Sequence, residues 1–154
     1  MTSYQSSSKF ERTPADVLVV HCSDPRFQAG FYEFLNLGLN LNERYALLAI
    51  PGGPQFLTLV EYLPKFSWVG RKWLRFLVET IGMKRLILIA HQDCRWYASL
   101  PFHLFRSSDP RRRQEEDLRR AQRSLVEDFP QLAVELYYAG WDGSERLTVE
   151  AIAA

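Results

Sequence analysis

The sequence predicts an α/β fold: an open, mostly parallel β-sheet of four strands plus a weaker fifth, with helices on both faces. Three observations point there. Short apolar runs rich in Val, Leu and Ile recur along the chain, segments of helical periodicity separate them, and glycine or proline marks the boundaries. With 154 residues the chain can bury one continuous core, so residues 15–154 are read as a single domain. The polar, Ser-rich residues 1–14 before it are read as a tail.

Taken in order, "DVLVVHC" (16–22) is the first strand, apolar over 17–20 without alternation, as a strand covered on both faces requires. Part of "GFYEFLNLGLN" (30–40) follows as a helix, and "RYALLAI" (44–50) is the second strand. "PGGP" (51–54) holds the glycines of a tight turn, but no Gly-Lys-Ser/Thr follows to make a phosphate loop. In "VGRKWLRFLVETIG" (69–82), Trp73, Phe76, Leu77, Thr80 and Ile81 fall on one face at helical spacing, and Gly82 ends the helix. Trp68, Trp73 and Phe76 are read as core or subunit contact. "RLILIAH" (85–91) is the third strand. A helix from Asp109 to Asp128, with Pro110 in its first turn, mixes both charge signs and reads as solvated, with ion pairs along its surface. "QLAVELYYAG" (131–140) makes the fourth strand and "RLTVEAI" (146–152) the weaker fifth.

Composition narrows the function. Nineteen Lys and Arg against eighteen Asp and Glu leave a net charge of +1, which offers no footprint for nucleic acid or for an anionic membrane. No apolar run is long enough to span a bilayer, and "MTSYQSSSKFERTP" has no apolar signal-peptide core, so a cytoplasmic setting is expected. In a reducing compartment the two cysteines are thiols, ligands or nucleophiles rather than a structural bridge.

Cys22 ends the first predicted strand and Cys94 lies just past the third. "VVHCSDPRF" begins like a cysteine-phosphatase loop, but the sixth residue after Cys22 is Gln28, Arg26 comes two places early, and Asp24 would repel an anion. The second cysteine suggests a metal instead. His91 and Cys94, three apart on a strand-to-helix turn, can reach one ion, and Cys22 on another strand end could supply a third ligand. A Cys2His set leaves tetrahedral zinc one open position, the arrangement of a catalytic site. Asp24, held by Arg26, could then accept a hydrogen bond from a zinc-bound hydroxide. Asp93 reads as a helix cap, His21 as core or support, and His103 as a surface histidine with proton relay as the alternative.

"CSDPR" followed by "HQDC" resembles the β-carbonic anhydrase family, whose signature is Cys-x-Asp-x-Arg and, after the third strand, His-x-x-Cys. The resemblance runs from about Asp16 to Ile152, taking in "WLRFLVETIG" before "RLILIAHQDC" and the closing "LYYAGWDGSERLTVEAI". It implies a β-carbonic-anhydrase-like zinc domain, with Zn2+ on Cys22, His91 and Cys94 and a catalytic dyad of Asp24 and Arg26. The implied reaction is reversible hydration of carbon dioxide to bicarbonate. The implied assembly is a homodimer or a higher homo-oligomer.

The chain departs from the family's pattern in four places. Arg95 and Trp96 follow Cys94 where small residues are usual; Ala49 and Ile50, before Pro51-Gly52-Gly53, stand where an Arg-Asn pair is common. The glutamine usually ahead of the first zinc cysteine has no counterpart in "KFERTPADVLVV", and the helical arm is reduced to a polar tail. These changes keep two alternatives open, hydrolysis of carbonyl sulfide or carbon disulfide on the same site and a non-catalytic zinc site closed by Asp24 as Cys2HisAsp; a third reading of the two cysteines is metal-free thiol chemistry at Cys22 or Cys94.

Overall fold

In the computed structural model, residues 3–59, 63–101 and 108–153 are described. His103 lies outside them. Strand β1 (Val17–Cys22) is central and runs parallel to β2 (Ala46–Ile50) on one side and to β3 (Arg85–His91) on the other. Strand β4 (Ala133–Trp141) is parallel to β3, and β5 (Leu147–Ala151) returns antiparallel along β4. The sheet order is β2-β1-β3-β4-β5. All six residues of β1 and six of seven in β3 are buried, which is why these strands read as unbroken apolar runs.

The helices are α1 (Gln28–Glu33), α2 (Pro64–Arg75), α3 (Arg95–Ser99) and α4 (Pro110–Asp128). Wider π-type turns extend α1 through Gly38 and α2 through Ile81, and a 3-10 turn spans Gly53–Leu57. Side chains alternate along each strand and divide the core in two. Leu18, Val20, Leu86, Leu88 and Leu136 pack with Leu74, Val78, Leu118, Ala121 and Leu125 of α2, its extension and α4. Val17, Val19, Ile87 and Ile89 pack on the other face with Phe27, Phe31 and Leu35.

Two helices differ from their sequence reading. The buried residues of α2 and its extension are Ser67, Gly70, Leu74 and Val78, whereas Trp73 and Phe76 are half exposed, at 50% and 53%. Small residues win that face because the 3-10 turn comes so close: a Cβ on Gly70 would lie 2.2 Å from the Phe56 ring. On α4, Asp109 accepts bonds from the amides of Arg111 and Arg112, Pro110 occupies the first turn, and Arg111–Glu115 and Arg112–Glu116 pair on the outer face. Its inner face is a buried stripe of Gln114, Asp117, Leu118, Ala121 and Leu125.

Candidate metal centre

Because β1 and β3 are adjacent and parallel, their carboxyl ends emerge side by side, and Cys22 and His91 are the last residues of the two strands. Two residues on, Asp93 adopts a left-handed backbone at φ +54°, which turns the chain so that Cys94 faces back toward Cys22 before α3 begins. The ligand atoms of Cys22, His91 and Cys94 all lie within 4.8 Å of one another, and all three residues are buried. The sulfurs are 3.9 Å apart and both thiols are free, which sets aside a disulfide, whose S–S bond is about 2 Å.

The polar surroundings suit thiolates. Backbone amides of Asp24 and Gly52 donate to the Cys22 sulfur, and those of Trp96 and Tyr97 donate to the Cys94 sulfur. The Cys94 thiol donates toward Cys22, so the Cys22 pKa falls; Cys94 is pushed up, since its ionisation would set a second thiolate against the first and burial adds to that cost. His91 Nδ1 lies 2.8 Å from the Gln92 carbonyl oxygen, so it carries the proton, and the Nε2 lone pair is left buried without a partner. Gly53 lies so close that a Cβ there would be 2.9 Å from the Cys22 nitrogen and the His21 carbonyl carbon.

Beside these residues, Arg26 grips Asp24: Nε is 3.0 Å from Oδ1 and Nη2 is 2.7 Å from Oδ2. The same guanidinium donates through Nη1 to Asp93 Oδ2 at 2.7 Å and through Nη2 to the Asp93 carbonyl at 2.9 Å. Asp93 is therefore a second anchor for Arg26 rather than the helix cap its sequence position suggests; Cys94 precedes α3 with no side-chain cap bond. The paired arginine holds the Asp24 carboxyl down to about 2. His21 is buried against Phe31, with Nδ1 2.9 Å from the Cys22 carbonyl, and burial lowers its pKa. Among the described residues, the metal-capable group comprises Cys22, His91 and Cys94, with Asp24 outside it.

No family model matches the chain, and no curated protein matches its sequence. Solved structures do. A carbonic anhydrase from Streptococcus mutans superposes with a TM-score of 0.58 at 15% identity, over 96% of this chain and 88% of that one. A carbonic anhydrase from Glaciozyma antarctica gives 0.57 at 17%, over 93% and 85%. The β-carbonic anhydrase isoform I of Trichomonas vaginalis gives 0.54 at 11%, over 94% and 87%. The fold is that of a β-carbonic anhydrase. The likeness is one of backbone; the site is built from this chain's own residues.

Those residues suit zinc on that fold. Tetrahedral Zn–S bonds of about 2.3 Å place two sulfurs about 3.8 Å apart, close to the spacing found here. The unpartnered Nε2 and the four amides directed at the sulfurs complete the fit. A cleft of about 280 Å³ opens beside Cys22, lined by Asp24, Arg26, Pro51, Arg95 and Trp96 among others. Gly52, at φ +76°, passes against the Trp96 indole. Among the described residues, no helix is long and apolar enough to cross a membrane.

Four residues behind the site escaped the sequence reading. Gln114 Oε1 accepts the His91 backbone N–H at 3.1 Å. Asp117 Oδ2 accepts the Tyr97 hydroxyl at 3.0 Å and the Gln55 amide at 3.5 Å. All four are buried, and burial raises the pKa of Asp117 and of Tyr97. The signal was present: Gln114 and Asp117 continue the stripe of Leu118, Ala121 and Leu125, and a polar residue on a buried stripe needs a partner.

Proposed function

We propose that the chain is a zinc lyase that interconverts carbon dioxide and bicarbonate, CO2 + H2O giving HCO3− and a proton, with residues 15–154 as its zinc domain. The observation that carries this reading is the meeting of Cys22, His91 and Cys94 beside a carboxylate that an arginine holds in place. Zinc, when bound by these three side chains, supplies a positive charge and a water acidified to a pKa of about 7.

The chain's own groups do the rest. Asp24, ionised far below neutral pH, is an acceptor at working pH and cannot take up the proton the reaction releases. Its role is to accept an O–H hydrogen bond at a carboxylate oxygen and so aim the attacking lone pair at the carbon. Arg26 fixes that carboxylate through Nε and Nη2 and is itself fixed by Asp93. The proton leaves with buffer or solvent. Retention of Asp24 by Arg26 supports an open fourth position over a site closed as Cys2HisAsp. The apolar wall of Pro51 and Trp96 supports a second reading, a linear apolar substrate such as carbonyl sulfide or carbon disulfide. Exposed Trp68, Trp73 and Phe76 on α2 and its extension support a homodimer, and two free thiols suit a cytoplasmic setting.

The test is zinc stoichiometry with stopped-flow hydration of carbon dioxide, alongside hydrolysis of the sulfur analogues, on wild type and Asp24→Asn. One zinc per chain is expected, and the variant should keep it while losing about tenfold or more of the rate. Absence of zinc, or equal rates in the two proteins, overturns the proposal.

A further inference from the structure

Behind the sulfurs, one buried carboxylate joins the segment that bears Cys94 to the 3-10 turn that packs beside Cys22. Asp117 Oδ2 accepts the Tyr97 hydroxyl, and the Tyr97 backbone amide donates to the Cys94 sulfur. The same oxygen accepts the Gln55 side-chain amide at 3.5 Å; the Gln55 backbone N–H bonds the Gly52 carbonyl at 3.2 Å, and the Gly52 N–H donates to the Cys22 sulfur. One turn earlier on α4, Gln114 holds the backbone of His91. Residues i and i+3 of a helix share a face, so a single face of α4 braces the segments that carry His91 and Cys94 directly and reaches the Cys22 sulfur through the 3-10 turn.

We propose that Asp117 and Tyr97 are positioning residues that set the spacing of Cys22 and Cys94, and with it the affinity and geometry of the metal bound there. This rests on the reading of Cys22, His91 and Cys94 as a metal site. Packing alone gives no reason for a carboxylate here. Asp117 is 6% exposed and continues a stripe whose next members are leucine and alanine, and an apolar side chain would avoid the desolvation it suffers. What a carboxylate offers is an oxygen that takes two donors at once, joining α3 to the 3-10 turn across the back of the site. Its other oxygen faces Arg120 at 3.7 Å, an arginine half open to solvent.

The experiment compares wild type with Tyr97→Phe, Asp117→Asn and Asp117→Leu. Zinc affinity is measured by chelator competition, and the Co2+-loaded proteins are examined by their sulfur-to-cobalt absorption, with folding checked by circular dichroism. Tyr97→Phe and Asp117→Leu are expected to weaken zinc about tenfold or more and to shift the cobalt band. Asp117→Asn, which keeps an accepting oxygen, should retain most of the affinity. Wild-type affinity and spectrum in Tyr97→Phe overturn the proposal, as does a loss in Asp117→Asn equal to that in Asp117→Leu. If Asp117→Leu does not fold, the other two variants decide. A wild type that binds zinc but does not hydrate carbon dioxide refutes the proposed function and leaves the affinity comparison decisive; a wild type that takes up neither metal overturns both.

Discussion

Replacing Gly53 with alanine should damage the fold and the site together, in proportions the backbone sets. Gly53 sits at φ +51°, where a side chain costs about 1–2 kcal/mol. Its added Cβ would also lie 2.9 Å from the Cys22 nitrogen and the His21 carbonyl carbon, which are backbone atoms of a buried strand and cannot rotate away. Overpacking of that kind adds about 1–3 kcal/mol, for a total of about 2–5. Gly82 provides the control, since its φ is +89° but nothing lies within 4 Å of the added Cβ, so Gly82→Ala should show the backbone cost alone. Urea denaturation of the metal-free proteins measures both. Gly53→Ala should be the less stable of the two by about 1–3 kcal/mol and should bind zinc more weakly, because relief of the contact moves Cys22. Equal destabilisation by the two substitutions would refute the close approach of this turn to β1.

Other expectations follow from the same geometry. The Asp24 carboxyl is held at about 2, below its unfolded pKa of about 4, so its pairing with Arg26 stabilises the fold above that range and is lost as pH falls through about 2. The stability difference between wild type and Asp24→Asn should therefore be full at pH 6, shrink below about pH 4 and vanish only below about pH 2; acid titrations of the melting temperature that stay parallel would contradict the pairing. Leu118→Ala, at a position 1% exposed, should cost about 2–5 kcal/mol by denaturant unfolding. Trp68→Glu on the exposed face of α2 should lower the molar mass seen by light scattering if that face joins two copies of the chain, and leave it unchanged otherwise.

The sheet was legible in the linear text because a strand covered on both faces has almost no freedom of composition. "VLVV" and "LILIA" can satisfy two apolar layers and little else, and β3 falls on residues 85–91 as read. His91-x-x-Cys94 was legible for a similar reason, since ligand-type residues three apart at a strand end are scarce by chance. The partners of these groups were harder to see. Arg26 lies 67 residues from Asp93, and Gln55 lies 62 from Asp117; nothing local couples either pair.

The chain's order of apolar runs, turns and ligand-type residues was enough to specify a parallel sheet with two cysteines and a histidine at its strand ends. Which side of α2 faces inward was settled by the approach of Phe56 to Gly70, and which polar residues brace the site was settled by α4 lying across its back. A sequence period states that a helix has a buried face; only the element packed against it selects the residues that occupy that face, because excluded volume and buried hydrogen bonds act through space rather than along the chain.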